Sequence, residues 1–194
     1  EKVTLIIDEA HNLGDAVRAM NSRHLTQRMI DLAETEVEKF EGTLGQARLE
    51  ETREEASWRR EGIRIIRQLL PRLRRFLQSR LDRMPEGEAL MDADLFRAFL
   101  YDGIDDIEDA LSYFSDVAVA VADLNLAEGD RENLQGDIQP SLALVLLFLR
   151  DIETAETDIA LQRKIVVTGV GKRKLVRLEV NNIDPAANIR RITD

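Results

Sequence analysis

Apolar residues recur at steps of three and four through most of the chain, a spacing that predicts amphipathic helices. The pattern predicts helices over residues 12–20, 27–40, 46–70, 92–100, 104–124 and 141–161. The last of these is apolar on much of its circumference in its first half, which predicts the central helix of a bundle. Pro71 is predicted to break or kink the third helix, although the apolar stripe continues beyond it to Leu81.

Near both ends of the chain the pattern changes to short runs that are typical of strands. Residues 3–7 lack a polar face, which indicates a buried strand. Residues 164–168 and 175–180 predict a β-hairpin across the glycine-containing turn between them. Residues 22–25 are expected to be extended, with Thr26 capping the helix that follows. The sequence therefore predicts a mainly α fold, a helical bundle with a short N-terminal strand and a C-terminal β-hairpin.

Composition limits the classes of protein to consider. The chain has 194 residues, of which 44% are hydrophobic and 33% charged, as in a folded protein with much helical surface. It contains no cysteine, which excludes disulfides and thiolate metal sites within this sequence. No apolar run is long enough to span a membrane and no secretory signal is evident, so we expect a cytoplasmic protein without a membrane partner.

The net charge of −10 hides an uneven distribution. Nine arginines lie between Arg59 and Arg83, and six basic residues with no acid lie between Arg163 and Arg177. Such segments are able to meet a phosphate backbone even in an acidic chain. The candidate nucleic-acid contacts are Arg64, Arg67, Arg74, Arg75, Lys172 and Arg173. The alternative is a solvated basic face paired to the acids within residues 50–55 and 86–109.

Two acids and a histidine directly follow the first predicted strand, as Asp8, Glu9 and His11. In open α/β sheets, ligands bind at the carboxyl ends of strands. An Asp there is placed to hold Mg²⁺ beside a nucleotide phosphate, and a Glu to orient or deprotonate the attacking water. The alternative is a plain helix start, where acids meet the positive end of the helix dipole. The letters Asp-Glu-Ala-His are the DEAH form of the Walker B motif found in superfamily-two helicases.

The two ends of the chain together resemble the XPD/DinG family of iron–sulfur helicases. Residues 7–12, Ile-Asp-Glu-Ala-His-Asn, are similar to the second helicase motif of the family, and Ser22 and Leu25 match its Ser followed by an apolar residue. Residues 184–186, Asp-Pro-Ala, follow the last predicted strand where the family has Asp-Pro-Ser. In the family, the segment between these landmarks is the Arch domain, a mainly helical insertion in the first motor domain.

The resemblance implies a division of the chain and a role for each part. Residues 1–12 would be the motor-domain strand and DEAH motif, 13–163 the helical Arch-like domain, and 164–194 the hairpin returning to the motor sheet. The function implied is that of a fragment of an ATP-dependent DNA helicase, whose Arch domain helps to enclose and guide single-stranded DNA. Asp8 would be the Mg²⁺ partner and Glu9 the catalytic base, and His11 would couple nucleotide state to neighbouring motifs.

The implied cofactors are ATP and Mg²⁺, and an iron–sulfur cluster would lie in the parent protein rather than in this fragment. The implied partners are single-stranded DNA, the remaining motor domains and a regulatory protein. The sequence has no Gly-x-x-x-x-Gly-Lys-Ser/Thr phosphate loop, so we expect no ATP hydrolysis by this chain alone. The resemblance leaves the pathway open among DNA repair, transcription and replication-fork rescue, with a nuclear location in a eukaryote.

Two other functions fit the same residues. The first is a helical protein–protein interaction module that recruits a partner without touching nucleic acid. The second is a different ATPase that shares only the acid-tipped strand. Trp58 and Phe76 would stack on bases in a DNA-binding protein, and would be packing anchors otherwise.

Overall fold

A computed structural model describes residues 23–44, 53–128, 140–154, 161–169 and 174–182. The helices are α1 (Gln27–Leu44), α2 (Arg53–Arg83), α3 (Ala93–Leu100), α4 (Ile107–Glu128) and α5 (Ser141–Thr154). The strands are β1 (Arg23–Thr26), β2 (Gly87–Leu90), β3 (Leu161–Thr168) and β4 (Leu175–Asn182). The predicted fold class, mainly α with a C-terminal hairpin, is confirmed. The predicted strand over residues 3–7 lies outside the described residues.

Helix α1 begins where the sequence predicts. The Oγ1 of Thr26 accepts a hydrogen bond from the backbone N–H of Met29 at 3.3 Å, which caps the helix. Ile30, Ala33 and Val37 recur at steps of three and four and are buried, so one stripe of α1 faces the core. The helix continues four residues beyond its predicted end at Phe40.

Helix α2 runs through Pro71, and the predicted break at this residue is wrong. Proline removes one backbone hydrogen bond and strains the preceding turn, at a cost of about 3 kcal/mol. Leu69 and Leu70 before it and Leu73 and Leu77 after it are all fully buried. Each such side chain stabilises the fold by about 1.5–3 kcal/mol, so burial along one continuous stripe outweighs the strain.

Side-chain caps set the starts of the next two helices. The carboxylate of Asp92 accepts from the N–H of Leu95 at 3.0 Å, so Asp92 caps α3, which begins at Ala93, one residue after its predicted start. Asp106 accepts from the N–H of Asp109 at 2.9 Å, so α4 starts at Ile107 rather than at the predicted residue 104. The turn between them contains Gly103, whose φ of 71° favours glycine.

Helix α5 packs against α1 and α4, in agreement with its predicted central position. Glu36 of α1 caps it, because its carboxylate accepts hydrogen bonds from the N–H groups of Ser141 at 2.9 Å and Leu142 at 2.8 Å. The helix ends at Thr154, not near residue 161 as predicted. Residue 161 instead begins strand β3.

The four strands form one antiparallel sheet in the order β1-β4-β3-β2. The predicted hairpin is confirmed as β3 and β4, with Thr168 opposite Leu175. Strand β2 was not predicted, because Gly87 begins it and Leu90 is 70% exposed, so it lacks the alternation of a half-buried strand. Leu178 and Val180 of β4 are buried in the core that the helices form on one side of the sheet.

The pairing of β1 with β4 fixes where the chain enters and leaves the described part of the fold. Arg23, the first residue of β1, lies opposite Val180, near the end of β4. Because the two strands are antiparallel, the chain before β1 and the chain after β4 are attached at the same end of the sheet. The β3–β4 turn lies at the opposite end. Along the chain, the helices from Gln27 to Thr154 lie between β1 and β3.

Candidate nucleic-acid interface

The predicted site residues fall into two groups. Asp8, Glu9 and His11, and the hairpin residues Lys172 and Arg173, lie outside the described residues. The four predicted arginines, Arg64, Arg67, Arg74 and Arg75, all lie on α2 within the described residues.

Arg64 is engaged within its own helix. Its Nε donates a hydrogen bond to Glu61 Oε2 at 2.8 Å, and its Nη2 pairs with the other carboxylate oxygen. This hydrogen bonding lowers the pKa of Glu61, with a smaller opposing contribution from burial. The pair is exposed, so it contributes little to stability, but it places a negative charge directly on the arginine.

Arg67 and Arg74 pair with acids of the neighbouring helix α1. Arg67 forms an ion pair with Glu41. Arg74 Nη2 contacts Asp31 Oδ1 at 2.5 Å and Glu34 Oε2 at 2.6 Å. The sequence suggested acids within residues 50–55 and 86–109 as the alternative partners, and the acids that these two arginines meet come from α1 instead.

Arg75 differs from these three arginines. Its side chain is exposed, and its Nε donates a long hydrogen bond of 3.4 Å to the carbonyl oxygen of Pro71. Within the part of the chain that the structure describes, it makes no ion pair. One of the four predicted α2 contacts is therefore available to a phosphate without displacing a carboxylate.

The two candidate aromatic residues have different surroundings. Phe76 is buried and packs edge-on against Phe96, with ring centroids 4.9 Å apart, so it is a core residue rather than a base-stacking one. Trp58 is 58% exposed and makes a perpendicular contact with Tyr113 at 6.1 Å between centroids. Only Trp58 of this pair presents an aromatic surface to solvent.

A basic groove lies at the turn end of the sheet, where Arg28, which the sequence did not single out, joins two cations of the basic segment 163–177. We call it the hairpin groove. Its cations are Arg28, at the start of α1, and Lys174 and Arg177, at the start of β4. It has a volume of about 440 Å³, and Leu81 and Leu175 are among its lining residues. The sequence hides it because Arg28 is separated from the other two cations by nearly the whole length of the helical region.

The cations of the hairpin groove are held in different ways. Lys174 Nζ donates to the carbonyl oxygen of Met84 at 3.2 Å, a neutral partner that leaves the ammonium charge in place. Arg177 Nε contacts Glu179 Oε1 at 2.5 Å. Burial raises the pKa of Glu179, but hydrogen bonds from Asn181 and Arg177 together with nearby positive charges outweigh it, and the pKa is lowered.

The described residues contain no group of three or more His, Cys, Asp or Glu side chains arranged to hold a metal ion. A Mg²⁺ site therefore stays a prediction that rests on Asp8. Among the helices described, none is both long enough and apolar enough to cross a membrane.

The chain matches no family model and no curated protein. It is similar to a solved structure, that of Xpd4 from S. tokodaii, with 17% sequence identity and a TM-score of 0.47. The similarity covers 96% of this chain and 30% of that one, so this chain spans less than a third of the length of Xpd4.

Proposed function

We propose that this chain is the Arch domain of an ATP-dependent DNA helicase of the XPD/DinG type, with the flanking pieces of its first motor domain. Its role is to help enclose and guide single-stranded DNA while the motor unwinds the duplex. The DEAH letters at residues 8–11 and the Asp-Pro pair at 184–185 support this assignment from the sequence. The motor needs ATP and Mg²⁺, which are bound largely by parts of the parent protein beyond this chain.

The pairing of β1 with β4 carries the proposal. An insertion domain has to leave and rejoin its host at neighbouring points, because otherwise it would pull the host sheet apart. Arg23 and Val180 lie opposite each other, so the chain before β1 and the chain after β4 are attached at one end of one sheet, and the described unit of helices and strands has both of its flanks side by side. This geometry supports helices that bulge from a motor domain between residues 12 and 184.

The proposed chemistry lies in the motif before β1. Asp8 would hold Mg²⁺, and Glu9 would accept a proton from the water that attacks the γ-phosphorus of ATP. The new bond joins the water oxygen to phosphorus, the bond to the leaving ADP oxygen breaks, and the products are ADP and phosphate. An iron–sulfur cluster of the parent would take its thiolate ligands from elsewhere, since this chain has no cysteine.

The test uses the parent helicase, assayed for ATP hydrolysis stimulated by single-stranded DNA. We expect Glu9→Gln to lower the rate by about 100-fold or more while nucleotide binding is retained. His24→Ala is the matched control, because His24 is an exposed residue of β1 outside the motif, and we expect it to leave the rate unchanged. A Glu9→Gln protein that hydrolyses ATP at the wild-type rate would remove the helicase assignment.

One observation favours protein–protein docking as a second function. Leu90 of β2 and Leu95 and Phe99 of α3 are neighbouring large apolar residues with 70%, 63% and 41% of their surfaces exposed. Exposed apolar clusters of this kind often mark interaction sites. In this case, Leu95→Asp would abolish retention of a partner protein and leave DNA binding intact. A variant that loses DNA binding instead would argue against the second function.

A further inference from the structure

We infer that the hairpin groove binds the phosphate backbone of single-stranded DNA, and that Arg28 and Lys174 are its principal phosphate contacts. This inference rests on the proposed function, because it names the surface through which the helical domain meets the strand. It differs from the sequence-based expectation, which placed the phosphate contacts on four arginines of α2 and on Lys172 and Arg173 of the hairpin.

The charge of the hairpin groove favours a phosphate ligand. The groove has three cations, and none of its described lining residues is acidic, in a chain whose net charge is −10. Arg28 makes no ion pair among the residues that the structure describes, and Lys174 is bound to a neutral carbonyl oxygen. The positive potential of the groove is therefore uncompensated at two of its three cations, which is the condition for attracting a phosphate.

The arginines of α2 have different partners from the cations of the groove. There, Arg64, Arg67 and Arg74 each contact at least one carboxylate, and Arg74 contacts two. A phosphate that approached these arginines would compete with carboxylates already in place and meet the repulsion of the same acids. At the groove, a phosphate that approaches Arg28 or Lys174 displaces no carboxylate of the described residues.

The lining of the groove suits an unpaired nucleotide. Its apolar surface comes from Leu81, Val176 and Leu175, the last of which is 71% exposed, and Thr26 and Thr168 also line it. Hydroxyl donors and cations suit phosphate oxygens, and apolar surface suits the sugar and base of an unpaired nucleotide. A double helix keeps its bases stacked inside and would leave this apolar surface unused.

The groove and the two flanks of the chain lie at opposite ends of the sheet. Leu175 and the last residue of β4 are seven steps apart along an antiparallel strand, or about 24 Å at about 3.4 Å per residue. The groove thus lies at the end of the sheet away from the points where the chain joins its flanks. A strand bound there is held at a distance from the motor connections, as an Arch that guides the strand requires.

The experiment measures binding of a fluorescein-labelled oligo-dT of about 20 nucleotides by anisotropy, with the 194-residue chain, from about 50 to 200 mM NaCl. The double variant Arg28→Gln/Lys174→Gln removes the two uncompensated cations. For single strands each phosphate contact contributes about 0.7 to the slope of log affinity against log salt, so we expect the slope to fall by about 1.4. Affinity at the lowest salt should fall about tenfold or more.

Two matched variants distinguish the effect of the charges from the effect of their position on the fold. Arg28→Lys/Lys174→Arg keeps both charges and should bind like the wild type. The triple variant Arg64→Gln/Arg67→Gln/Arg74→Gln removes more cations, from the carboxylate-paired set, and should leave the slope unchanged. Circular dichroism of each variant verifies folding, and a poly-glutamate peptide tested as a competitor should displace the oligonucleotide poorly.

The other outcomes overturn the inference in distinguishable ways. If only the triple variant loses binding, the groove assignment is wrong and the proposed DNA contact survives on α2. If the wild-type chain does not bind oligo-dT at any salt concentration, the inference and the proposed DNA contact both fail. If poly-glutamate binds more tightly than oligo-dT, the groove serves an acidic protein segment instead.

Discussion

The two described basic surfaces of this molecule have opposite electrostatic surroundings. On α2, Arg67 and Arg74 meet the carboxylates of α1. At the hairpin groove, Arg28 and Lys174 meet no carboxylate within the ranges that the structure describes. Two arginines of a dense run are therefore neutralised by a neighbouring helix, while two of the three cations of a set assembled from distant residues keep their charge. Cation density along a sequence is thus a poor guide to a phosphate-binding surface, because the neutralising acids come from another element.

If the ion pairs of α2 serve mainly to neutralise its arginines, apolar packing holds the helix in place and the ion pairs contribute less to the free energy of unfolding. Gly62 tests this at the crossing of α2 with α4. A Cβ atom there would lie 2.6 Å from the carbonyl oxygen of Tyr113 and 2.6 Å from Val117 Cγ2. Alanine gains about 1 kcal/mol in helix propensity, but overpacking against backbone costs more. We expect Gly62→Ala to lower the free energy of unfolding by about 2 kcal/mol in urea denaturation.

Gly42 of α1 is the matched control for this variant, because a Cβ there would have nothing within 4 Å. Gly42→Ala should raise the free energy of unfolding by roughly 0.5–1 kcal/mol. Equal gains from both substitutions would mean that α2 and α4 do not cross closely.

Arg74 tests the contribution of the ion pairs. Its removal leaves Asp31 and Glu34, which lie one turn apart on α1, without their shared cation. Because the side chain is about a third exposed, water screens the interaction. We expect Arg74→Gln to lower the free energy of unfolding by about 1 kcal/mol. Arg75→Gln, one residue along on the same helix, should change the free energy of unfolding by less than about 0.5 kcal/mol. A larger loss of stability at Arg75 than at Arg74 would mean that the ion pairs of Arg74 do not stabilise the fold.

Much of this fold follows from local pattern. The burial of Ile30, Ala33 and Val37 on α1 and the antiparallel pairing of β3 and β4 both follow from the spacing of apolar residues. Side-chain caps such as those of Thr26 and Asp92 also depend on local sequence alone, since they need only a short polar residue before a helical run.

The features that the sequence did not reveal depend on contacts between distant residues. Pro71 remains helical because side chains on either side of it are buried against other elements, which no local rule weighs. Strand β2 exists because β3 offers it an edge to pair with. The hairpin groove was missed for the same reason, since Arg28 has no basic neighbour along the chain that would mark it.

Glu179 offers a smaller test, at the edge of the groove. Its pKa in the folded state lies below the ordinary value of 4.5, so the folded state holds fewer protons than the unfolded state in that range. Its contribution to stability is therefore present at neutral pH and is lost as the pH falls through the folded-state pKa. We expect Glu179→Gln to reduce the loss of stability on acidification by less than about 1 kcal/mol, measured by urea denaturation at several pH values. An unchanged pH profile would mean that Arg177 is not held by this carboxylate.

Substitution of Arg28 should have the smallest effect on stability, and it most directly distinguishes the hairpin groove from the basic surface of α2. Among the described residues it has no ion pair to lose, and its side chain is exposed, so we expect Arg28→Gln to change the free energy of unfolding by less than about 0.5 kcal/mol. A cation that stabilises nothing in the fold but is needed for oligonucleotide binding acts through a ligand, whereas Arg74 should show the reverse. If Arg28→Gln destabilised the chain as much as Arg74→Gln, both arginines would be structural, and the distinction between the two basic surfaces would disappear.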